Sequence, residues 1–287
     1  WLSKLLCTPG DELLVPRPSY PLFEHLTRLE AVDIAHYDLD YHRRWDIDFG
    51  SLARAVTPKT RAILAVAPNN PTGSYLTASE LSRLGDICAQ HGLALIVDEV
   101  FADYDLARPA DAVTDIAVRS KVLTFTLGGL SKTVALPQLK LGWMVVGGSA
   151  GEVREALQGL EPVPDSSLSV STPVQVAAGH LLAAGAAVRD EIRARLRVNL
   201  ERLRQEAAMY PACDVVTTEG GWYAVLRVPA TRSEETLVLD LLERQHVLVH
   251  PGFFFDFPRE AYVVVSLLPP PDIFVDAIRR VLGESST

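Results

Sequence analysis

Across 287 residues the sequence holds only three cysteines, Cys7, Cys88 and Cys213. They are odd in number and far apart, which speaks against a disulfide framework or a cysteine-based metal site and fits reduced thiols in a cytoplasmic setting. Basic residues are also scarce: 27 Lys and Arg stand against 36 Asp and Glu, a net charge of -9. Beyond the short His42-Arg43-Arg44 cluster the cations are scattered, so neither nucleic acid nor an anionic membrane is an expected partner. No apolar run is long enough to span a bilayer. The first residues lack the charged, apolar and cleavage regions of a signal peptide. What remains, 48% hydrophobic and 22% charged residues, is an ordinary globular composition. It allows a large core and two domains.

The first half alternates strand-like and helix-like stretches. DELLVPR, RAILAVA, LALIVDE, KVLTFTL and LGWMVVG read as strands. YPLFEHLTRLE and TASELSRLGDICAQHG read as helices, the latter with a cap at Thr77 and a stop at Gly92. Apolar strands separated by helices predict an α/β fold with a mainly parallel sheet covered on both faces. The second half differs. Residues 172–210 read as two helices, and DVVTTEGGWYAVLRV, HVLVHPG and YVVVSLL then alternate as strands with two further helices. This predicts a smaller α+β unit, dividing the chain into 1–186 and 187–287. WLSKLLC reads as the continuation of a helix, so further chain upstream of Trp1 is expected.

Ligands of α/β sheets sit beyond the carboxyl ends of the strands. Three such ends carry polar residues after an apolar approach: Asn70-Pro71-Thr72-Gly73, Asp98-Glu99 and Ser131-Lys132. Each has a bland reading alone. Asn-Pro-Thr-Gly is turn chemistry, an aspartate after a strand caps a helix, and a lone Ser-Lys is usually exposed. Yet Lys132 lies between two apolar segments, where a lysine is costly unless it is paired or loses its charge. A neutral lysine is a nucleophile.

In this order, with Lys140 eight residues after Lys132, the motifs resemble those of the pyridoxal-phosphate-dependent aminotransferases of fold type I. The resemblance runs from PGDELLVPRPSYP to the last helix. It implies a seven-stranded mainly parallel sheet and a homodimer with sites at the subunit interface. It also implies pyridoxal 5'-phosphate as cofactor, and ping-pong transfer between an amino acid or related amine and a keto acid. Carried over residue by residue, Lys132 forms the Schiff base and moves the proton from substrate Cα. Asp98 pairs with the pyridine nitrogen, Asn70 bonds the phenolic oxygen, and Tyr20 stacks on the ring. Lys140 holds the phosphate, and Ser131 lies beside Lys132 in the cofactor site. Pro18 and Pro71 match positions that are often cis. No metal is implied. A lyase or decarboxylase of the same fold, or a non-catalytic cofactor-binding module, are the alternative readings.

Four positions depart from the family pattern. Lys140 replaces an arginine, keeping the charge but not the two-pronged geometry. Phe101 replaces a tyrosine that donates to the phenolic oxygen, with Tyr104 one turn on as a candidate substitute. Gly129 replaces a serine. Val264 replaces the arginine that clamps the substrate carboxylate, and a valine offers no such fork. Tyr223, His250 and residues upstream of Trp1 are candidate substitutes, and Phe253, Phe254 and Phe255 read as core in the first place, with an apolar substrate wall as the alternative.

Overall fold

The computed structural model describes residues 1–166 and 170–286. Seven strands form the large sheet: β1 (Glu12–Arg17), β2 (Asp33–Tyr41), β3 (Trp45–Ile47), β4 (Thr60–Val66), β5 (Ala94–Asp98), β6 (Thr124–Gly129) and β7 (Gly142–Gly147). Their order is β3-β2-β1-β4-β5-β6-β7. The pairs among β2, β1, β4, β5 and β6 are parallel, and only the outer strands β3 and β7 run antiparallel to their neighbours. Successive side chains on a strand face opposite ways. Thus Leu14, Ile63, Leu95 and Val97 join one buried cluster, while Leu13, Leu64, Ile96 and Phe125 join another across the sheet. Both faces are covered, which is why these strands read as continuous apolar runs.

The helix Ala78–His91 shows how local sequence sets the boundaries. Thr77 Oγ1 accepts from the Glu80 N–H, and the Glu80 carboxylate accepts from the Thr77 N–H. Gly92 ends it in the left-handed conformation at φ 66°.

The smaller sheet has four strands, β8 (Asp214–Val215), β9 (Tyr223–Arg227), β10 (His250–Pro251) and β11 (Tyr262–Ser266), in the order β10-β11-β9-β8. Its pairs are antiparallel. The long helix Ala186–Ala207 packs on it through Leu196, Leu200 and Leu203, spaced on one helical face. Asn199 on the same face donates to the carbonyls of Leu267 (2.9 Å) and Pro269 (2.8 Å). The final helix Pro271–Ser285 adds Phe274, Ile278 and Val281 to this core. Phe101 and Tyr104, from the loop after β5, also enter it.

Two sequence expectations need correction here. The strand read over HVLVHPG shrinks to His250–Pro251, because His246 closes the preceding helix in the left-handed conformation. Of the three phenylalanines read as core, only Phe255 is buried; Phe253 and Phe254 are about half exposed, on a single 3-10 turn.

Candidate active site

The four central parallel strands end on one side of the large sheet, and every one of those ends carries a residue singled out in the sequence. β1 leads through a cis Arg17–Pro18 bond to Ser19 and Tyr20. β4 leads into the Asn69–Gly73 turn, with cis bonds before Pro68 and Pro71. β5 ends at Asp98, and β6 runs directly into the short helical turn Leu130–Thr133 that carries Lys132. Register ties these ends together: Val66 pairs with Asp98, and Asp98 with Leu127.

The two adjacent asparagines have different work. Asn69 is fully engaged: its side chain accepts from Ser19 Oγ (3.0 Å) and donates to the Pro18 carbonyl (3.0 Å) and Thr72 Oγ1 (2.9 Å). It holds the turn. Asn70 Oδ1 is buried and has no hydrogen-bond partner. A buried unpaired oxygen costs free energy, so Asn70 is the asparagine of the pair left open to a ligand.

Asp98 and Lys132 are shifted in opposite directions, both chiefly by burial. Burial pushes the Asp98 carboxyl upward, while the Val100 N–H, 3.0 Å from Oδ1, and the charge of Lys132 pull it back. Burial lowers the Lys132 amine, against the pull of Asp98. Desolvation disfavours charge in both groups, and each partly restores the other's. Lys132 Nζ lies 4.7 Å from the Trp222 ring centroid and 5.4 Å from that of Phe101. Ser131, beside it, is half-buried.

Tyr104 does not serve as the substitute donor that sequence suggested. Its side chain is fully buried, and its hydroxyl donates to the Lys132 carbonyl at 2.6 Å. One hydroxyl proton cannot also serve a second acceptor. Phe101 is buried and packs edge-on to Trp222 and Tyr223, with no polar atom to offer.

Lys140 is exposed and adopts φ 54° at the end of the 3-10 turn Pro137–Leu139. The Leu130 N–H donates to the Leu141 carbonyl (3.0 Å), pairing the start of the Lys132 turn with the residue after Lys140; no hydrogen bond or ring contact joins Lys140 itself to Asn70, Asp98 or Lys132 among the described residues. Its neighbours Gly128, Gly142 and Trp143 line with it a groove of about 600 Å³. Gly129 sits at the β6 end paired with Gly142. Tyr20 is substantially exposed, and the Tyr223 hydroxyl is pushed up chiefly by burial and further by its neighbour Tyr20.

Val264 is completely buried, in register with His250 on one side and Val225 on the other. It packs in the apolar cluster with Phe255 and Phe257. His250 rests against Phe254 and Phe255.

Sequence reasoning missed Trp222 and the pair that anchors its loop. Arg44 Nε donates to Glu219 Oε1 at 3.0 Å, and the Tyr75 N–H donates to Glu219 Oε2 at 2.9 Å. The Gly220-Gly221 pair before Trp222 was the available signal, since adjacent glycines mark close backbone approach. Among the described residues no cluster of His, Cys, Asp and Glu could hold a metal ion. No described helix is long and apolar enough to cross a membrane.

Comparison with known proteins bears on this geometry. The family model "Aminotransferase class I and II" matches residues 2–269. A glutamate-pyruvate aminotransferase of Escherichia coli is 30% identical over 273 residues, covering 93% of this chain and 67% of that protein. An alanine aminotransferase of Mycobacterium tuberculosis is 27% identical, covering 94% and 64%. The chain thus spans about two thirds of the length of these relatives. Among solved structures, an aminotransferase from Escherichia coli superposes with a TM-score of 0.84 at 28% identity, covering 98% of this chain and 70% of that one. An alanine aminotransferase from Pyrococcus furiosus shares the fold with a TM-score of 0.86. The chain belongs to the class I and II aminotransferases, the pyridoxal-phosphate-dependent transaminases of fold type I.

Proposed function

We propose that the strand-end site formed by Asn70, Asp98 and Lys132 carries transamination between an amino acid and a keto acid. The observation that carries this reading is the pair Asp98 and Lys132 on adjacent strand ends, shifted oppositely by burial. The residues fit the family's cofactor: the unpartnered Asn70 Oδ1 and the buried Asp98 are the polar groups a pyridine ring would meet. When bound, pyridoxal phosphate supplies the electron sink for charge developing at the substrate Cα. Asp98 would hold the proton on the ring nitrogen, and Asn70 would orient the ring through its phenolic oxygen. Tyr20, with Ser131, would flank it, Phe101 would wall it apolarly, and Lys140 would meet the phosphate. Lys132, its amine depressed by burial, takes the Cα proton onto Nζ and returns it.

Alanine and the glutamate–pyruvate pair are the first substrates to test, because the relatives bear those names. Val264 favours a second reading. A buried valine gives the carboxylate no cation from β11, so an amine without a carboxylate fits this wall as well. Alanine and ethylamine, which differ by that carboxylate, separate the two when each is offered with 2-oxoglutarate. Preference for alanine by 100-fold or more in kcat/KM, roughly 2.7 kcal/mol, supports the amino-acid reading. Parity supports the amine reading. No amino transfer from either would contradict both.

A homodimer, a cytoplasmic setting and a division of the chain at 186/187 belong to the same proposal. The dimer is supported by the helix Thr172–Ala184, a largely apolar segment with no buried residue. The division is supported by the break at Gly185, between that helix and the long one.

A further inference from the structure

Trp222 is 8% exposed and held on several sides. Its ring stands edge-on to Phe101 (5.4 Å, 66°) and Tyr104 (5.2 Å, 73°), and its carbonyl accepts from the Leu267 N–H at 2.8 Å. The two glycines before it make this placement possible. A Cβ on Gly220 would come within 2.8 Å of the Tyr75 ring and 2.9 Å of the Tyr104 carbonyl. Gly221 takes φ 88° while its N–H donates to the same Tyr104 carbonyl at 2.9 Å. One position earlier, the Glu219 carbonyl accepts from the N–H groups of Leu106 and Ala107, each at 2.9 Å. The loop that ends in Trp222 is therefore stitched to the loop that carries Phe101 and Tyr104. The indole is fixed before any ligand arrives.

Among the described residues no hydrogen bond or ion pair reaches Lys132 Nζ; its near neighbours are the rings of Trp222 and Phe101. The charged group bearing on it is Asp98. The Tyr104 hydroxyl is turned to the Lys132 carbonyl instead. An ammonium is attracted to the face of an aromatic ring within about 6 Å, most strongly to tryptophan.

We propose that Trp222 is a positioning residue for Lys132, its indole face being the seat on which the ammonium rests whenever the amine is not engaged with cofactor. The inference rests on the reading of Lys132 as the reactive amine. The seat holds Nζ near Asp98 in one orientation, and it favours the charged form against the burial that depresses it. It thereby shortens the search by which the released amine returns to its task.

The two roles open to Trp222 move Lys132 in opposite directions. As a π seat it stabilises the ammonium; as an apolar wall it penalises it. The test is acetylation of the cofactor-free protein by trace acetic anhydride across pH, with the Lys132 peptide quantified by mass and exposed Lys59 as internal standard. In Trp222→Leu the Lys132 midpoint is expected to fall by about one pH unit, which speeds its acetylation about tenfold below the midpoint. Trp222→Phe, which keeps a smaller ring face, is expected to lie between parent and Leu variant. It also supplies the reading if the Leu variant fails to fold. A midpoint that rises, or that stays still relative to Lys59, overturns the proposal. Failure of borohydride to fix pyridoxal phosphate on Lys132 in the parent protein would instead remove the assigned role of Lys132, leaving this titration as measured.

Discussion

At the ends of β4, β5 and β6 the large sheet presents Asn70, Asp98 and Lys132, each desolvated in whole or part. On the small sheet, β11 carries Val264, completely buried, between Val263 and Val265, which are also buried. The first sheet carries buried polar groups at its strand ends; the strands β9 and β11 of the second bury only apolar side chains. Isolated buried polar or charged groups cost several kcal/mol when nothing answers them. A fold keeps such groups where a ligand supplies the answer, which is the physical ground for proposing the site at these strand ends of the large sheet.

Lys132→Ala breaks the comparison at its centre. Turnover is expected to fall by about 10³-fold or more, while thermal stability without cofactor rises or stays level, as measured by kinetics and calorimetry. Val264→Arg attacks the other side. A guanidinium among Phe255, Phe257 and Val225 has no partner there, and unfolding titrations should show a loss of about 3 kcal/mol. A stable Arg variant with improved use of alanine would mean that β11 retains a latent carboxylate site. Asp98→Asn sharpens the pH side. The folded Asp98 pKa lies above its ordinary value, so the folded state holds the proton longer than the unfolded state. Its stability contribution is full below the unfolded pKa and is lost as pH rises toward the folded one. The Asn variant should melt higher than the parent at pH 7, match it near pH 3, and lose turnover on the order of 10²-fold. Thr77→Ala tests a place remote from both sheets' site ends; losing the capping box should cost about 1 kcal/mol with kcat unchanged.

Much of the large domain was legible because its strands are buried on both faces and their helices carry explicit ends, as at Thr77 and Gly92. The segment 33–47 was not read as strands, because β2 mixes exposed or half-exposed polar residues such as Asp33, His36 and Asp40 with its few buried ones. Asp98 and Lys132 stood out as polar residues terminating apolar runs. Trp222 did not, since its segment GGWYAVL is legible only as a small-domain strand, and its approach to Lys132 joins positions 90 residues apart in sequence. The commitment of the Tyr104 hydroxyl to a carbonyl was equally invisible: helical spacing predicts neighbours, while the loop after β5 is not a helix.

The most direct test of the site is reduction with borohydride after incubation with pyridoxal 5'-phosphate, followed by digestion and mass analysis. The geometry predicts the cofactor fixed on the peptide carrying Lys132, and no such product in Lys132→Ala. Fixation at Lys140 or at surface lysines alone, with Lys132 unmodified, would contradict the assignment of the site to the ends of β5 and β6.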